Sequence, residues 1–221
     1  MASNLLDRHY LTPLFEPASV AIIGASTRAG SIGAVLIDNM LAAGYRGALF
    51  AVNPKQTSIK GVPCFPGIDK VPQRVDLAVI ATPPETVPQL ITECGIAGVH
   101  SVVVITAGFS EVGPEGARLE RELLENARRH RVRVIGPNCL GVMRPGVGLN
   151  ATFARGNALP GSLGLVSQSG ALGTAMLDWA SLHGIGFSRF LTMGEMADVD
   201  FGDLLDYLAA DSATEAILLC I

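Results

Sequence analysis

Residues Val20-Ala21-Ile22-Ile23-Gly24-Ala25-Ser26 run from an apolar stretch into Gly30-Ser31-Ile32-Gly33, an order of residue types suited to holding a phosphate. A strand, a glycine turn and a helix start present unpaired backbone N–H groups at the positive end of a helix dipole. The spacing departs from G-x-G-x-x-G, because three residues separate Ser26 from Gly30 and two separate Gly30 from Gly33. A fold that binds NAD also needs an acidic residue about 20 positions on, at the end of the second strand, to meet the ribose hydroxyls. That place holds Asn53-Pro54-Lys55. A lysine there attracts an extra phosphate on the adenosine ribose, which disfavours NAD and leaves NADP and coenzyme A as candidates. The glycines alone also fit a tight βα connection, and Lys55 alone also fits a solvated surface residue.

Two further apolar runs end in Ala81-Thr82-Pro83-Pro84 and Thr106-Ala107-Gly108-Phe109. Both ends fall on the edge of a parallel sheet where ligands of such folds sit. The two prolines lack a backbone donor and fix the strand exit, so they favour an apolar wall with carbonyls, better suited to an extended pantetheine arm than to a nicotinamide ring. A second strand-to-helix loop, Val166-Ser167-Gln168-Ser169-Gly170, predicts another anion site of backbone N–H groups and hydroxyls, with Ser169 as a plain N-cap the other reading. The acidic run Glu195, Asp198, Asp200, Asp203 and Asp206 raises a magnesium site. Asp200 directly before Phe201 reads better as an N-cap with Asp203 in the first turn, so no metal site is assigned. His130 and His183 close helices, and Cys139 has no histidine partner in sequence, so no catalytic residue is assigned either.

The elements that must position these residues follow a βαβ rhythm. Strands are expected at 19–24, 48–52, 77–81, 101–106 and 133–135, with helices at 31–43, 85–97 and 113–130. In the last helix Ala117, Leu119, Leu123, Leu124 and Ala127 repeat on one face. A stretch rich in Gly and Pro over 136–161 interrupts the rhythm and reads as a domain junction. Beyond it come a strand at 163–166, a helix at 171–183, a strand at 187–191, a helix at 201–210 and a final apolar run at 215–221, read as a buried strand. That run stops without a turn or a helix, so a fragment of a longer protein is expected.

Composition bounds the rest. With 49% hydrophobic and 16% charged residues in 221, the chain lies far from the disordered regime. The net charge of −4 argues against a nucleic-acid partner. No window approaches a membrane span, and 1–10 lacks the apolar stretch of a signal peptide, so a cytoplasmic protein is expected. The four cysteines (Cys64, Cys94, Cys139, Cys220) show neither a disulfide framework nor a zinc spacing.

Taken together and in order, Gly24-Ala25-Ser26, Val52-Asn53-Pro54-Lys55, Ala81-Thr82-Pro83-Pro84, Gly136-Pro137-Asn138-Cys139-Leu140-Gly141 and Ser167-Gln168-Ser169-Gly170 resemble the NDP-forming acyl-CoA synthetases. This group includes ADP-forming acetate-CoA ligase and the succinyl-CoA ligase alpha-like proteins, together with the related protein lysine acetyltransferases that carry a GNAT domain. The resemblance spans about 14–221. It implies an α/β architecture: a Rossmann-like CoA-binding domain with a parallel sheet over 1–145, then the first part of a flavodoxin-like α/β domain over 146–221. By position, Gly24, Ala25, Ser26, Gly30, Ser31 and Gly33 inherit the contacts to CoA phosphates, and Asn53, Pro54 and Lys55 those to the adenosine end. Ala81, Thr82, Pro83, Thr106, Ala107 and Gly108 would flank pantetheine, and Asn138 and Cys139 would lie near its thiol. Ser167, Gln168, Ser169 and Gly170 would steady the phosphate of a phosphohistidine that belongs to the family beyond Ile221. ATP or ADP and Mg would come only with a further ATP-grasp domain or subunit, and a GNAT domain is the alternative continuation. An NADP-dependent oxidoreductase and a CoA sensor without chemistry are the competing readings, and homo-oligomer formation stays open.

Overall fold

The computed structural model describes residues 9–221. Of the stretch read against a signal peptide, 1–8 lies outside the described residues. Two sheets organise the chain. The first has seven strands in the order β3-β4-β2-β1-β5-β6-β7: β1 (Ser19–Ile23), β2 (Ala48–Val52), β3 (Ser58–Ile59), β4 (Val62–Phe65), β5 (Leu77–Ile80), β6 (Ser101–Val104) and β7 (Arg133–Ile135). All neighbours are parallel except β3 and β4. The order runs outward in both directions from β1 and β5, which makes the gap between their carboxyl ends a topological switch point.

β1 is buried along its whole length, as a central parallel strand covered on both faces must be. Its side chains alternate between two cores. Ala21 and Ile23 pack with Val87, Ile91, Leu119 and Leu123, from α3 (Val87–Ile96) and α4 (Pro114–His130). Val20 and Ile22 pack with Leu36 and Ile37, from α2 (Ile32–Ala42). A short α1 (Thr12–Phe15) precedes the sheet and buries Leu14 and Phe15 in the second of these cores.

The second sheet has the order β12-β10-β11-β8-β9, from β8 (Gly141–Arg144), β9 (Leu149–Thr152), β10 (Leu159–Ser167), β11 (Gly186–Thr192) and β12 (Ala216–Cys220). β10 is parallel to both β11 and β12, joined by α5 (Gly170–Leu182) and α6 (Phe201–Ala210). This is the flavodoxin-like start, with the first strand between the second and third.

The structure corrects the sequence reading at four places. The stretch at 136–161 contains an antiparallel hairpin, β8 and β9, whose first strand also pairs antiparallel with β11. β3 and β4 form a second unexpected hairpin, turned at Lys60 and Gly61, both at positive φ, as a two-residue turn requires. A 3₁₀ turn at Pro84–Thr86 takes the place of the first turn expected for α3. Among the described residues the last strand pairs with β10, and Ile217 and Leu218 are exposed in it where a buried strand was expected. Among the described residues no helix is long and apolar enough to cross a membrane.

Candidate functional site

The carboxyl ends of β1, β2 and β5 enclose a cleft of about 410 Å³ at the switch point, lined by Gly24, Asn53, Pro54, Lys55, Thr82 and Pro83. Gly24 must be glycine on two counts: its φ is +90°, and a Cβ there would come within 2.6 Å of the Ala81 carbonyl oxygen. Its N–H donates to the Val52 carbonyl at 3.1 Å. Asn53 fastens the glycine loop, with Nδ2 donating to the Ala25 carbonyl at 2.8 Å and Oδ1 accepting from the Lys55 N–H at 2.8 Å. Ala25 is fully buried, so it shapes the loop from beneath. The Ser26 hydroxyl accepts from the Arg28 N–H at 3.0 Å.

Helix α2 begins at this loop with no side chain capping it. The Ser31 hydroxyl donates backwards to the Arg28 carbonyl at 2.7 Å, which leaves the first-turn N–H groups without a side-chain acceptor. Open space surrounds Gly30. Lys60 pairs with Asp38 and Lys70 with Asp69, whereas exposed Lys55 has no carboxylate partner among the described residues. Gly24 of the loop and Lys55 line this cleft, and the same loop leads on to the uncapped start of α2, an arrangement that fits a nucleotide coenzyme carrying a diphosphate and a ribose phosphate. Sequence reasoning missed Pro66, Gly67, Thr86, Leu90 and Glu93, which line the same cleft. Pro66 and Gly67 arrive through the overlooked β4, whose signal was the Lys60-Gly61 turn.

A row of hydrogen bonds leads from this cleft to a second one. The Thr106 hydroxyl donates to the Thr82 carbonyl at 2.7 Å, and the Asn138 N–H donates to the Thr106 carbonyl at 2.9 Å. Ala107 is exposed, and Gly108 packs on Pro84. The second cleft, about 620 Å³, takes in Asn138, Cys139, Gln168, Ser169 and Gly170 together with Leu140, Phe153, Leu172, Glu195 and Cys220. Asn138 stands at φ 57° and its Nδ2 donates to Glu195 Oε1 at 3.3 Å. Cys139 is 2% exposed, donates to the Val104 carbonyl at 3.3 Å, and burial pushes its thiol up to about 12, so it packs as a neutral thiol.

The Ser169 hydroxyl caps α5, accepting from the Leu172 N–H at 3.2 Å. Ser167 is buried and its hydroxyl donates to the Ser169 carbonyl at 2.9 Å, so it shapes the loop instead of facing the cleft. Asp200 and Asp203 form a reciprocal cap on α6. Asp198 and Asp203 both pair with Arg133, at 2.9 and 3.0 Å. His183 sits at the end of α5 with Nδ1 2.8 Å from the Trp179 carbonyl, and His130 is the last residue of α4.

A glycine loop at the switch point of one parallel sheet, continuous with a helix-capped loop at the carboxyl edge of a flavodoxin-ordered sheet, defines a two-unit α/β protein built around a nucleotide coenzyme. Residues 18–145 match the CoA binding domain and residues 160–221 the succinyl-CoA ligase like flavodoxin domain; the chain belongs to this CoA-binding family. It is 45% identical over 206 residues to acetate–CoA ligase [ADP-forming] I of Archaeoglobus fulgidus, covering 93% of this chain and 30% of that protein. It is 43% identical to the alpha subunit of acetate–CoA ligase [ADP-forming] I of Pyrococcus furiosus, covering 95% and 46%. A solved structure of the dinucleotide forming acetyl-coenzyme A synthetase 1 of Ca. Korarchaeum cryptofilum, in complex with phosphate and ADP, superposes with a TM-score of 0.91 at 40% identity, covering 95% and 45%. The chain thus spans less than half the length of these relatives.

Proposed function

We propose that this chain binds coenzyme A as the alpha-type part of an ADP-forming acyl-CoA synthetase. The observation that carries the reading is the pair of clefts joined through Thr82, Thr106 and Asn138. In this reading the first-turn N–H groups of α2, with Gly24, Ser26, Gly30, Ser31 and Gly33, hold the diphosphate. Lys55 meets the ribose phosphate, and Thr82, Pro83, Ala107 and Gly108 flank pantetheine. Its thiol reaches the Asn138 corner, and Gln168, Ser169 and Gly170 with the start of α5 face the phosphoryl group. ATP and Mg would be handled by a partner subunit or a further domain, as the alpha-subunit naming of the Pyrococcus relative suggests. Four free thiols among the described residues agree with a reducing, cytoplasmic setting.

Titration calorimetry with CoA and with NAD tests the proposal. Saturable CoA binding with no heat from NAD is expected, because no carboxylate stands at the end of β2 to receive the ribose hydroxyls. Comparable affinity for NAD would overturn it.

A further inference from the structure

The first cleft carries a carboxylate that phosphate binding leaves without a role. Among the described residues along its walls, Lys55 and Glu93 are the charged side chains. We infer that Glu93 reads the base of the coenzyme: its carboxylate accepts a hydrogen bond from the 6-amino group of adenine, which makes the cleft selective against bases that lack this donor. The inference rests on the reading of this chain as a CoA-binding protein, since that reading supplies the adenosine.

Glu93 and Leu90 lie three residues apart on α3, so one face of the helix brings both to the cleft. Both are half-buried. A further stretch of wall comes from Pro66, Gly67 and Ile68, in the chain leaving β4. Ile68 is buried in the apolar cluster that Leu90 packs against, so one body of side chains supports both stretches. These apolar surfaces suit the faces of a flat aromatic ring, and the carboxylate adds a polar group for its edge. The Glu93 side chain is half committed. Gln89 Nε2 donates to its Oε1 at 3.2 Å, and among the described residues no hydrogen bond or ion pair takes up Oε2.

The charges on the coenzyme decide which of its donors this oxygen meets. A carboxylate repels the diphosphate and the ribose phosphate, and repulsion between close like charges is strong where water is partly excluded. The ribose hydroxyl stands next to the ribose phosphate, so Glu93 could not accept from it without approaching that phosphate. The amides of pantetheine run along Thr82 and Pro83 in the proposed reading. The amino edge of adenine is the donor that points away from every phosphate. A ligand without that group would leave the carboxylate stripped of water and unpaired, which is how a polar site rejects an analogue.

CoA and its purine analogue, with hydrogen in place of the 6-amino group, test this by calorimetry on the whole chain. Binding of CoA roughly tenfold tighter than the analogue is expected, the low end for a hydrogen bond to a charged group. In Glu93→Ala, CoA should lose about that factor and the analogue almost nothing, which brings the ratio near one. In Glu93→Gln, which keeps the shape and a neutral acceptor, a ratio of about threefold is expected, because uncharged hydrogen bonds are roughly half as strong. Should Glu93→Ala fail to fold, Glu93→Gln decides the matter. Equal affinities in the unaltered protein, a ratio that survives substitution, or equal losses of both ligands, as a purely structural role would give, would each overturn the inference. Failure of CoA itself to bind would instead defeat the functional reading beneath it.

Discussion

Single side chains divide into those that touch a ligand and those that hold the loop that does. In the proposed reading Lys55 belongs to the first kind, since the other two lysines are committed to carboxylates. Lys55→Ala should weaken CoA by roughly fivefold, the scale of one exposed charge interaction, and dephospho-CoA hardly at all. Calorimetry with both ligands reads the difference, and equal losses would remove Lys55 from the ribose phosphate. Asn53 is of the second kind. Its type and place were legible in the sequence, but its bond to the Ala25 carbonyl was not, because nothing in a sequence shows which loop an amide faces. The cysteines separate by burial. Cys94 and Cys139 are buried, with thiols pushed up to about 12 by desolvation, while Cys220 is partly exposed. Iodoacetamide at pH 8 (roughly the ordinary thiol value) should label Cys220 first and spare Cys94 and Cys139 until denaturant is added, which peptide mass spectrometry would resolve.

At the scale of elements, α6 is fixed to the first sheet by its own cap. Asp203 closes the reciprocal cap with Asp200 and pairs with Arg133 and Tyr10. Burial raises its pKa, but the hydrogen bonds from Tyr10 and the Asp200 backbone, with the Arg133 charge, outweigh that and hold it below the usual 3.8. A depressed carboxylate stabilises the fold in full above its ordinary value and loses that contribution as pH falls through the folded-state value. Asp203→Asn should therefore unfold more easily than the parent at pH 7, with the gap closing below about pH 4; urea titrations at the two pH values check this. The expected helices and parallel strands mostly coincide with the observed ones, because apolar period and turn residues determine both. The two hairpins escaped notice because each strand is only two to four residues long, too short for a period to register.

The two sheets share one body of apolar side chains. Val20, Ile22, Leu36 and Ile37 belong to the same cluster as Val142, Leu149, Leu191, Leu204 and Tyr207. Polar ties run alongside, with Glu16 reaching both Arg144 and Arg189 and Asn39 Nδ2 donating to the Thr152 and Ala154 carbonyls, each at 2.8 Å. Neither sheet can lose its partner without exposing that cluster, so a single cooperative heat-absorption peak is expected by scanning calorimetry; two resolved peaks would show the halves to be independent. The hairpin of β8 and β9 bears on how such proteins can be recombined. It follows the last strand of the first sheet in the chain yet hydrogen-bonds to β11 of the second. A chimaera of two relatives joined inside 141–152 would pair one parent's β8 with the other's β9, and a joint within 136–140 would keep the hairpin with its own sheet. Gene shuffling across this family should therefore return viable crossovers at the Asn138 corner and few inside the hairpin that follows it.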